Sequence, residues 1–264
     1  MNYSINQIQN KIVVSSLLLI ILLCSFVVPE KRAVNVVFIG DSITQGAGLK
    51  MPATEAPPAQ AAAYLQQLNG IGEVKFSNQG VSGFTTINFL PAIKGVFNNV
   101  INAANNLHAD QQAQLVFSIM LGTNDSAING PMGAPVSSAS YYANMKTIAD
   151  SLLSKYPGCK LVIHHPIWYS PNTYNGAKYL QEGLDRLQSY FPEIKKLVKA
   201  YSITHPAQVF TGDQQAFKYF KKHYQSDFQH EEGKQGTFYL HPNKAGAMAL
   251  GHFWANAIAA VIEK

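Results

Sequence analysis

The segment VNVVFIGDSIT, Val34–Thr44, joins an apolar run to a turn. A short run rich in β-branched residues that ends at a glycine is typical of a buried strand in a parallel sheet. Ser42 follows this run directly and is preceded by Gly40 and Asp41. The segment therefore predicts a strand over Val34–Ile39 and a tight turn that exposes the side chain of Ser42 at the edge of a sheet.

Further segments extend this pattern along the chain. Four of them predict strands: Glu73–Ser77, Leu115–Leu121, Lys160–His165 and Ala207–Phe210. Between them, apolar residues recur every three or four positions, which predicts helices over 90–107, 142–156 and 250–261. Strands that alternate with helices form right-handed βαβ units, so we expect an α/β fold with a mostly parallel sheet covered on both faces. Pro166–Gly176 and Asp213–Gly236 are irregular in pattern and predict long loops over one edge of the sheet.

The composition describes a folded chain of one domain. The 264 residues are 47% hydrophobic and 13% charged, which excludes a disordered protein. The net charge of +5 comes partly from two lysine clusters, at 195–199 and 218–222. Their helix-like spacing among apolar residues favours solvated helix faces over a nucleic-acid-binding patch. We therefore expect no nucleic-acid partner.

The N-terminal segment differs from the rest of the chain. Lys11 precedes Ile12–Val28, an almost unbroken apolar run, and polar residues follow it. This arrangement predicts that residues 1–30 are a signal peptide or an uncleaved membrane anchor. Residues 31–264 then form the catalytic domain, which we expect to be secreted or periplasmic, or held at the membrane by this segment.

Four groups that acyl transfer requires are predicted to lie near one edge of the sheet. In parallel sheets, ligands bind outside the carboxyl ends of the strands. A serine hydroxyl such as that of Ser42 needs a base, and His241 supplies an imidazole at the start of the last helix. The backbone N–H groups of Ser42 and Gly83 and the side-chain amide of Asn124 could donate to an oxyanion. The combination predicts a serine ester hydrolase.

At these residues the sequence resembles the SGNH hydrolases, also called GDSL-type esterases and lipases. Four blocks carry the resemblance: Gly40–Ile43, the glycine of Val81–Thr85, Gly122–Asp125, and His241 with the following Pro242. The resemblance covers residues 34 to about 262, and the sequence is most similar to those of bacterial carbohydrate-esterase members. It implies a three-layer α/β/α sandwich with a flavodoxin-like sheet. It also implies that Ser42, Gly83, Asn124 and His241 are the functional set, with no cofactor.

One position departs from the pattern of that family. The family usually has an aspartate three residues before the histidine, and Phe238 stands there in this chain. Such a carboxylate fixes the imidazole tautomer and stabilises the imidazolium. Three acids of the preceding segment are candidate substitutes: Glu231, Glu232 and Asp227. Because they lie six to eleven residues before the usual position, in a segment of unknown path, we expect a main-chain carbonyl or a water to accept the imidazole N–H instead.

The remaining polar and aromatic residues give weaker indications. Asp41, Trp168 and Tyr169 are candidate substrate-binding residues, although the two aromatic residues could equally pack within their own loop. His164 and His165 adjoin in a predicted strand, so we expect one to be packed and the other to face the site. No cluster of residues at metal-ligand spacing occurs, and we expect no metal.

These observations predict an exported serine esterase that removes acetyl or other short acyl groups, on a carbohydrate or another small-molecule ester. Two alternatives stay open at this point. A long apolar groove would favour a lipase, lysophospholipase or thioesterase. The missing aspartate at Phe238 is the feature that favours an inactive, carbohydrate-binding member of the same fold.

Overall fold

The structure is a computed structural model and describes residues 31–262; the predicted signal peptide or anchor lies outside these residues. Five strands form the central sheet: β1 (Arg32–Gly40), β2 (Ile71–Gly80), β3 (Gln114–Met120), β4 (Lys160–Ile163) and β5 (Val209–Thr211). All neighbouring strands are parallel, in the order β2-β1-β3-β4-β5. This is the flavodoxin-like order. The five strands predicted from the sequence are therefore confirmed.

Helices connect the strands and cover the sheet. They are α1 (Ser42–Gln45), α2 (Pro52–Glu55), α3 (Pro57–Leu65), α4 (Gly95–His108), α5 (Ser138–Lys155), α6 (Leu180–Thr204), α7 (Ala216–Asp227) and α8 (Lys244–Ile262). Two short 3₁₀ helices, Thr86–Phe89 and Pro91–Ile93, precede α4. The predicted helices correspond to α4, α5 and α8. The fold is the expected three-layer α/β/α sandwich.

The burial of β1 shows why the sheet needs helices on both faces. Every residue from Val34 to Gly40 is buried, although successive side chains point to opposite faces. On one face, the indole of Trp254 in α8 stacks on Phe38 with ring centroids 5.8 Å apart. Gly251 lets α8 approach α3 closely, because a Cβ at this position would come within 2.6 Å of Gln60 Cβ. The apolar character of α8 is therefore that of a core helix.

The prediction of a long irregular loop over Asp213–Gly236 is wrong. This stretch contains α7 and the first strand of an antiparallel hairpin, β6 (Glu231–Gly233) with β7 (Gly236–Phe238). The helix α7 is mostly polar, and its buried apolar residues are only Ala216 and Phe220, so its average hydropathy resembles that of a loop. The other irregular stretch, Pro166–Gly176, is confirmed, because it contains no helix or regular strand.

The strand order creates a crevice at one edge of the sheet. β1 pairs with β2 on one side and with β3 on the other, so the chain connections leave in opposite directions between β1 and β3. Ligands bind at such a switch point, outside the carboxyl ends of the strands. Ser42 follows β1, and Asn124 lies four residues beyond the end of β3. The fold therefore brings these two predicted site residues to the same crevice.

Candidate active site

Ser42 occupies the first position of α1, directly after β1. Asp41 caps this helix, and its Oδ1 accepts a hydrogen bond from the Ile43 N–H over 2.9 Å. Gly40 is required for the tightness of the turn, because a Cβ there would lie 1.9 Å from Thr44 Oγ1. The turn holds Ser42 in a single orientation at the base of the crevice.

A chain of hydrogen bonds runs from Ser42 through His241 to Glu231. Ser42 Oγ lies 2.9 Å from His241 Nε2, and His241 Nδ1 lies 2.8 Å from Glu231 Oε2. The second carboxylate oxygen, Oε1, accepts from the backbone N–H of His241 over 3.1 Å. Both carboxylate oxygens of Glu231 therefore hold the histidine, one through its ring and one through its backbone.

The hairpin explains how Glu231 reaches the imidazole from ten positions away. Glu231 pairs directly with Phe238 across the two strands, and a turn of only two residues joins them. Opposite residues in an antiparallel pair place their side chains on the same face. Glu231 thus approaches the histidine from the neighbouring strand, opposite the position where the SGNH hydrolases usually carry an aspartate. The expectation of a carbonyl or water partner for the imidazole is wrong in this structure.

The two other candidate acids have different partners. Glu232 is exposed, and its Oε1 accepts from Thr237 Oγ1 over 2.9 Å. The carboxylate of Asp227 accepts from the hydroxyls of Tyr219 and Ser226, each over 2.7 Å. Neither carboxylate contacts the histidine. Of the three acids considered from the sequence, the structure brings only Glu231 to the site.

Asn124 lines the same cleft as Ser42, and both ends of its amide are bound. Its Oδ1 accepts from the Tyr179 hydroxyl over 2.7 Å, and its Nδ2 donates to the Phe84 carbonyl over 3.0 Å. Gly83 adopts φ of +79°, a left-handed conformation that favours glycine. Ser42, Gly83 and Asn124 all line the same cleft. The three donors predicted for the oxyanion are therefore brought together.

A buried carboxylate joins the Gly83 loop to the Asn124 loop. Asp125 is fully buried, and both of its oxygens accept from the Thr86 N–H, at 3.0 and 3.1 Å. The Thr86 hydroxyl also donates to it, and Asn144 Nδ2 donates in turn to that hydroxyl over 2.9 Å. Burial raises the pKa of Asp125 to about 7 against the opposing effect of these bonds. Asp125 therefore links the two loops that carry Gly83 and Asn124, two of the predicted oxyanion donors.

The cleft in front of Ser42 has a volume of about 700 Å³. Its lining consists mostly of small and amide side chains: Ser42, Ala47, Ser82, Gly83, Asn124, Asn129, Gly130, Pro131, Asn175, Gly176, Ala177, Tyr179, Leu240 and His241. The segment around Asn129 pairs with Lys178, so the two walls that carry Asn129 and Asn175 are bonded to each other. Asn129, Asn175 and Tyr179 could not be predicted from the sequence, because each stands alone in an irregular segment.

The three residues predicted to bind substrate are buried and do not line the cleft. Asp41 is fully buried as a helix cap, and burial raises its pKa to about 6. Trp168 packs against Phe228 with ring centroids 6.1 Å apart, and only 6% of it is exposed. Tyr169 is fully buried, and its hydroxyl lies 2.9 Å from Ser126 Oγ. These predictions are wrong in this structure, because Asp41 caps a helix and the two aromatic side chains are buried against neighbouring segments.

The adjacent histidines are also both internal. His164 Nε2 lies 2.9 Å from Ser118 Oγ, and its Nδ1 accepts from the Asp213 N–H over 3.0 Å. His165 stacks on Phe191 with ring centroids 4.3 Å apart. Burial lowers the pKa of His164 to about 3 and that of His165 to about 4. The expectation that one of them faces the site is therefore wrong. Among residues 31–262, no group of three or more metal-ligating side chains occurs.

A known protein family and several solved structures are similar to this chain. The family model described as GDSL-like Lipase/Acylhydrolase matches residues 38–249. No curated protein sequence matches the chain significantly. Est24, a carbohydrate acetylesterase from Sinorhizobium meliloti, has a similar structure, with a TM-score of 0.56 and 18% identity over 88% of this chain and 100% of that one.

Two further solved structures are similar to a comparable degree. An acetyl xylan esterase from Geobacillus stearothermophilus has a TM-score of 0.54 and 18% identity, over 89% of this chain and 96% of that one. A lipase/acylhydrolase from Enterococcus faecalis has a TM-score of 0.55 and 17% identity, over 86% and 96% of the two chains. At such identities, the likeness concerns the fold.

Proposed function

Because the chain belongs to the GDSL-like lipase/acylhydrolase family and is therefore a carboxylic ester hydrolase, we propose that Ser42, His241 and Glu231 are its catalytic triad. The observation that carries this assignment is the continuous path from Ser42 Oγ to His241 Nε2, at 2.9 Å, and from Nδ1 to Glu231 Oε2, at 2.8 Å. Serine hydrolases on unrelated folds are recognised by this arrangement of a nucleophile, a base and an orienting acid.

The proposed reaction proceeds in two acyl-transfer steps. Ser42 Oγ attacks the ester carbon while His241 Nε2 takes the hydroxyl proton, and Glu231 Oε2 stabilises the imidazolium through the Nδ1–H bond. The N–H groups of Ser42 and Gly83 and one amide hydrogen of Asn124 donate to the oxyanion. The imidazolium then returns its proton to the leaving alcohol. A water molecule, activated by the same histidine, hydrolyses the acyl-enzyme.

For the substrate, we propose an acetyl or other short acyl ester of a carbohydrate. The side chains of Ser82, Asn129 and Asn175 give the cleft hydrogen-bonding groups suited to sugar hydroxyls. The apolar side chains that line it are short, with Leu240 and Pro131 the largest among them, which disfavours a long acyl chain. Two proteins of similar structure, a carbohydrate acetylesterase and an acetyl xylan esterase, support the same class of substrate.

The site geometry supports neither of the two alternatives left open by the sequence, a lipase-type enzyme and an inactive carbohydrate-binding protein. A long apolar groove would favour a lipase, lysophospholipase or thioesterase, and the residues that line the cleft do not form such a groove. An inactive sugar-binding protein was favoured by Phe238 in place of the acid, but Glu231 occupies the acid's position at the imidazole. Export stays part of the proposal and rests on the apolar run of Ile12–Val28.

The proposal is tested by labelling and by a series of substrates. The parent protein should react with a fluorophosphonate probe, and Ser42→Ala should abolish the labelling while the circular dichroism spectrum is unchanged. Among p-nitrophenyl esters, the highest kcat/KM should fall at acetate or propionate and decline with chain length. Labelling that persists in Ser42→Ala would refute the nucleophile. A maximum at a chain of eight or more carbons would refute the short-acyl assignment.

A further inference from the structure

Tyr179 precedes α6 and places its hydroxyl at the amide of Asn124. The O–H donates to Asn124 Oδ1 over 2.7 Å, and only 3% of the tyrosine is exposed. Its backbone N–H donates to the Thr173 carbonyl over 3.2 Å, and its own carbonyl accepts from the Gly183 N–H over 2.9 Å. Its ring packs edge-on against Tyr169, with ring centroids 5.3 Å apart. The position of the hydroxyl is therefore fixed by the start of the helix and by buried neighbours.

We propose that Tyr179 is a positioning residue that holds the Asn124 amide with an N–H directed at the oxyanion. This inference rests on the proposed function of Asn124 as an oxyanion donor. It assigns to the reaction a residue outside the four blocks that the sequence shares with the SGNH hydrolases.

The orientation of the amide follows from its two neighbours. A side-chain amide has one end that only accepts and one end that only donates, and a half-turn about its terminal bond exchanges them. The Phe84 carbonyl can only accept, and it receives one hydrogen of Asn124 Nδ2 over 3.0 Å. The Tyr179 hydroxyl satisfies Oδ1 at the same time. After a half-turn, Oδ1 would face the Phe84 carbonyl, and two acceptors would oppose each other.

The observed orientation leaves one hydrogen of the amide for the substrate. Nδ2 carries two hydrogens, of which Phe84 takes one, and the amide lines the cleft beside Ser42. Burial raises the pKa of the Tyr179 hydroxyl well above its ordinary value, so the group keeps the proton that it donates. Without the hydroxyl, Oδ1 loses its partner, and the amide can tilt away from the oxyanion.

The decisive experiment is a double-mutant cycle of Tyr179→Phe and Asn124→Ala, assayed with p-nitrophenyl acetate. Tyr179→Phe should lower kcat by about tenfold to a hundredfold, since a misplacement of about 1 Å at a reacting centre can cost a hundredfold. KM should change by less than about threefold, because the amide acts on the transition state. The double variant should have the kcat of Asn124→Ala to within about twofold, since no amide is left to position.

Tyr169→Phe is the matched control. It removes a hydroxyl from an adjoining buried tyrosine, but that hydroxyl lies 2.9 Å from Ser126 Oγ and does not contact Asn124. We expect its kcat to stay within about threefold of the parent, with a loss of melting temperature similar to that of Tyr179→Phe. Should Tyr179→Phe fail to fold, Tyr179→Met replaces it in the cycle, because it also lacks the hydroxyl and methionine adapts to irregular space.

Other results of these assays would overturn the inference. Multiplicative losses in the double variant, or a kcat of Tyr179→Phe equal to that of Tyr169→Phe, would overturn the positioning role while leaving the triad untouched. A rise in KM at constant kcat would make Tyr179 a substrate-binding residue and overturn the inference as well. If Asn124→Ala alone keeps the parental kcat, the oxyanion assignment fails, and the role of Tyr179 fails with it.

Discussion

Replacing Glu231 with glutamine removes the charge next to His241 with little change in shape. The carboxylate lies 2.8 Å from Nδ1, so its attraction to the imidazolium of the transition state is on the order of 6 kcal/mol at an effective dielectric constant of about 20. Because 23% of the glutamate side chain and 15% of the histidine side chain are exposed, solvent screens part of this attraction. We take about half, or about 3 kcal/mol, which corresponds to roughly a hundredfold in kcat.

The variant also disturbs the backbone contact. Both carboxylate oxygens accept hydrogen bonds from His241, but glutamine offers a single acceptor and turns an N–H₂ group towards one of the two donors. This effect acts in the same direction, so a hundredfold is the lower end of the expected loss. The upper end is the ~10⁴ that follows when the aspartate of an integral triad is disabled.

The assay is the steady-state hydrolysis of p-nitrophenyl acetate at pH 7, with circular dichroism as a check of the fold. Glu232→Gln is the matched control, because it changes the neighbouring residue of the same hairpin without contacting the histidine, and its kcat should stay within about twofold of the parent. If folded Glu231→Gln retains more than about a fifth of the parental kcat, the carboxylate does not serve as the triad acid and a Ser–His dyad accounts for the activity.

Three further measurements test other parts of the site and the chain. Asn124→Ala should lower kcat about a hundredfold to a thousandfold with little change in KM, as measured by initial rates. Burial raises the pKa of Asp125 from 3.8 to about 7, so the folded state keeps a proton that the unfolded state loses, and this group's contribution to stability falls as the pH rises between these values. Urea unfolding should therefore show the parent losing stability relative to Asp125→Asn between pH 5 and pH 8, and a constant difference would contradict the raised pKa. N-terminal sequencing of protein from the native host should begin between about residue 25 and residue 34, whereas an intact Met1 on cytoplasmic protein would contradict export.

The sheet could be predicted because each strand is a continuous apolar run. Buried parallel strands need apolar residues at every position, and Val34–Ile39 shows this pattern directly. The sequence indicated a helix face at the lysine cluster 195–199, but it did not predict the extent of α6. It runs for 25 residues, contains Pro192, and has a nearly neutral average hydropathy because one side faces water. Here the fold overrides local preference, since packing of an apolar stripe stabilises a helix that propensity alone does not indicate.

The site was predicted where its groups follow strands and was missed where they depend on loop paths. Ser42 and Asn124 follow β1 and β3, so the strand order alone brings them together. Glu231 reaches the histidine only through the register of a hairpin, and register is set by the turn. The sequence does contain a signal for that turn, since Gly233 and Gly236 flank Lys234 and Gln235. In the structure Gly236 adopts φ of +81°, a conformation that favours glycine in a hairpin turn. Given that turn, Glu231 falls opposite Phe238.

The hairpin has a consequence for how such enzymes are recognised. Its two strands offer the imidazole two neighbouring positions for an acid, one on each strand, and in this chain Glu231 contacts the imidazole while Phe238 is buried. The proposed nucleophile and oxyanion donors follow strands of the sheet, so their positions do not depend on which strand of the hairpin carries the acid. A catalogue that counts residues backwards from the histidine would classify this chain as inactive. A criterion based on spatial reach to Nδ1 would retain it, because Glu231 Oε2 lies 2.8 Å from that atom.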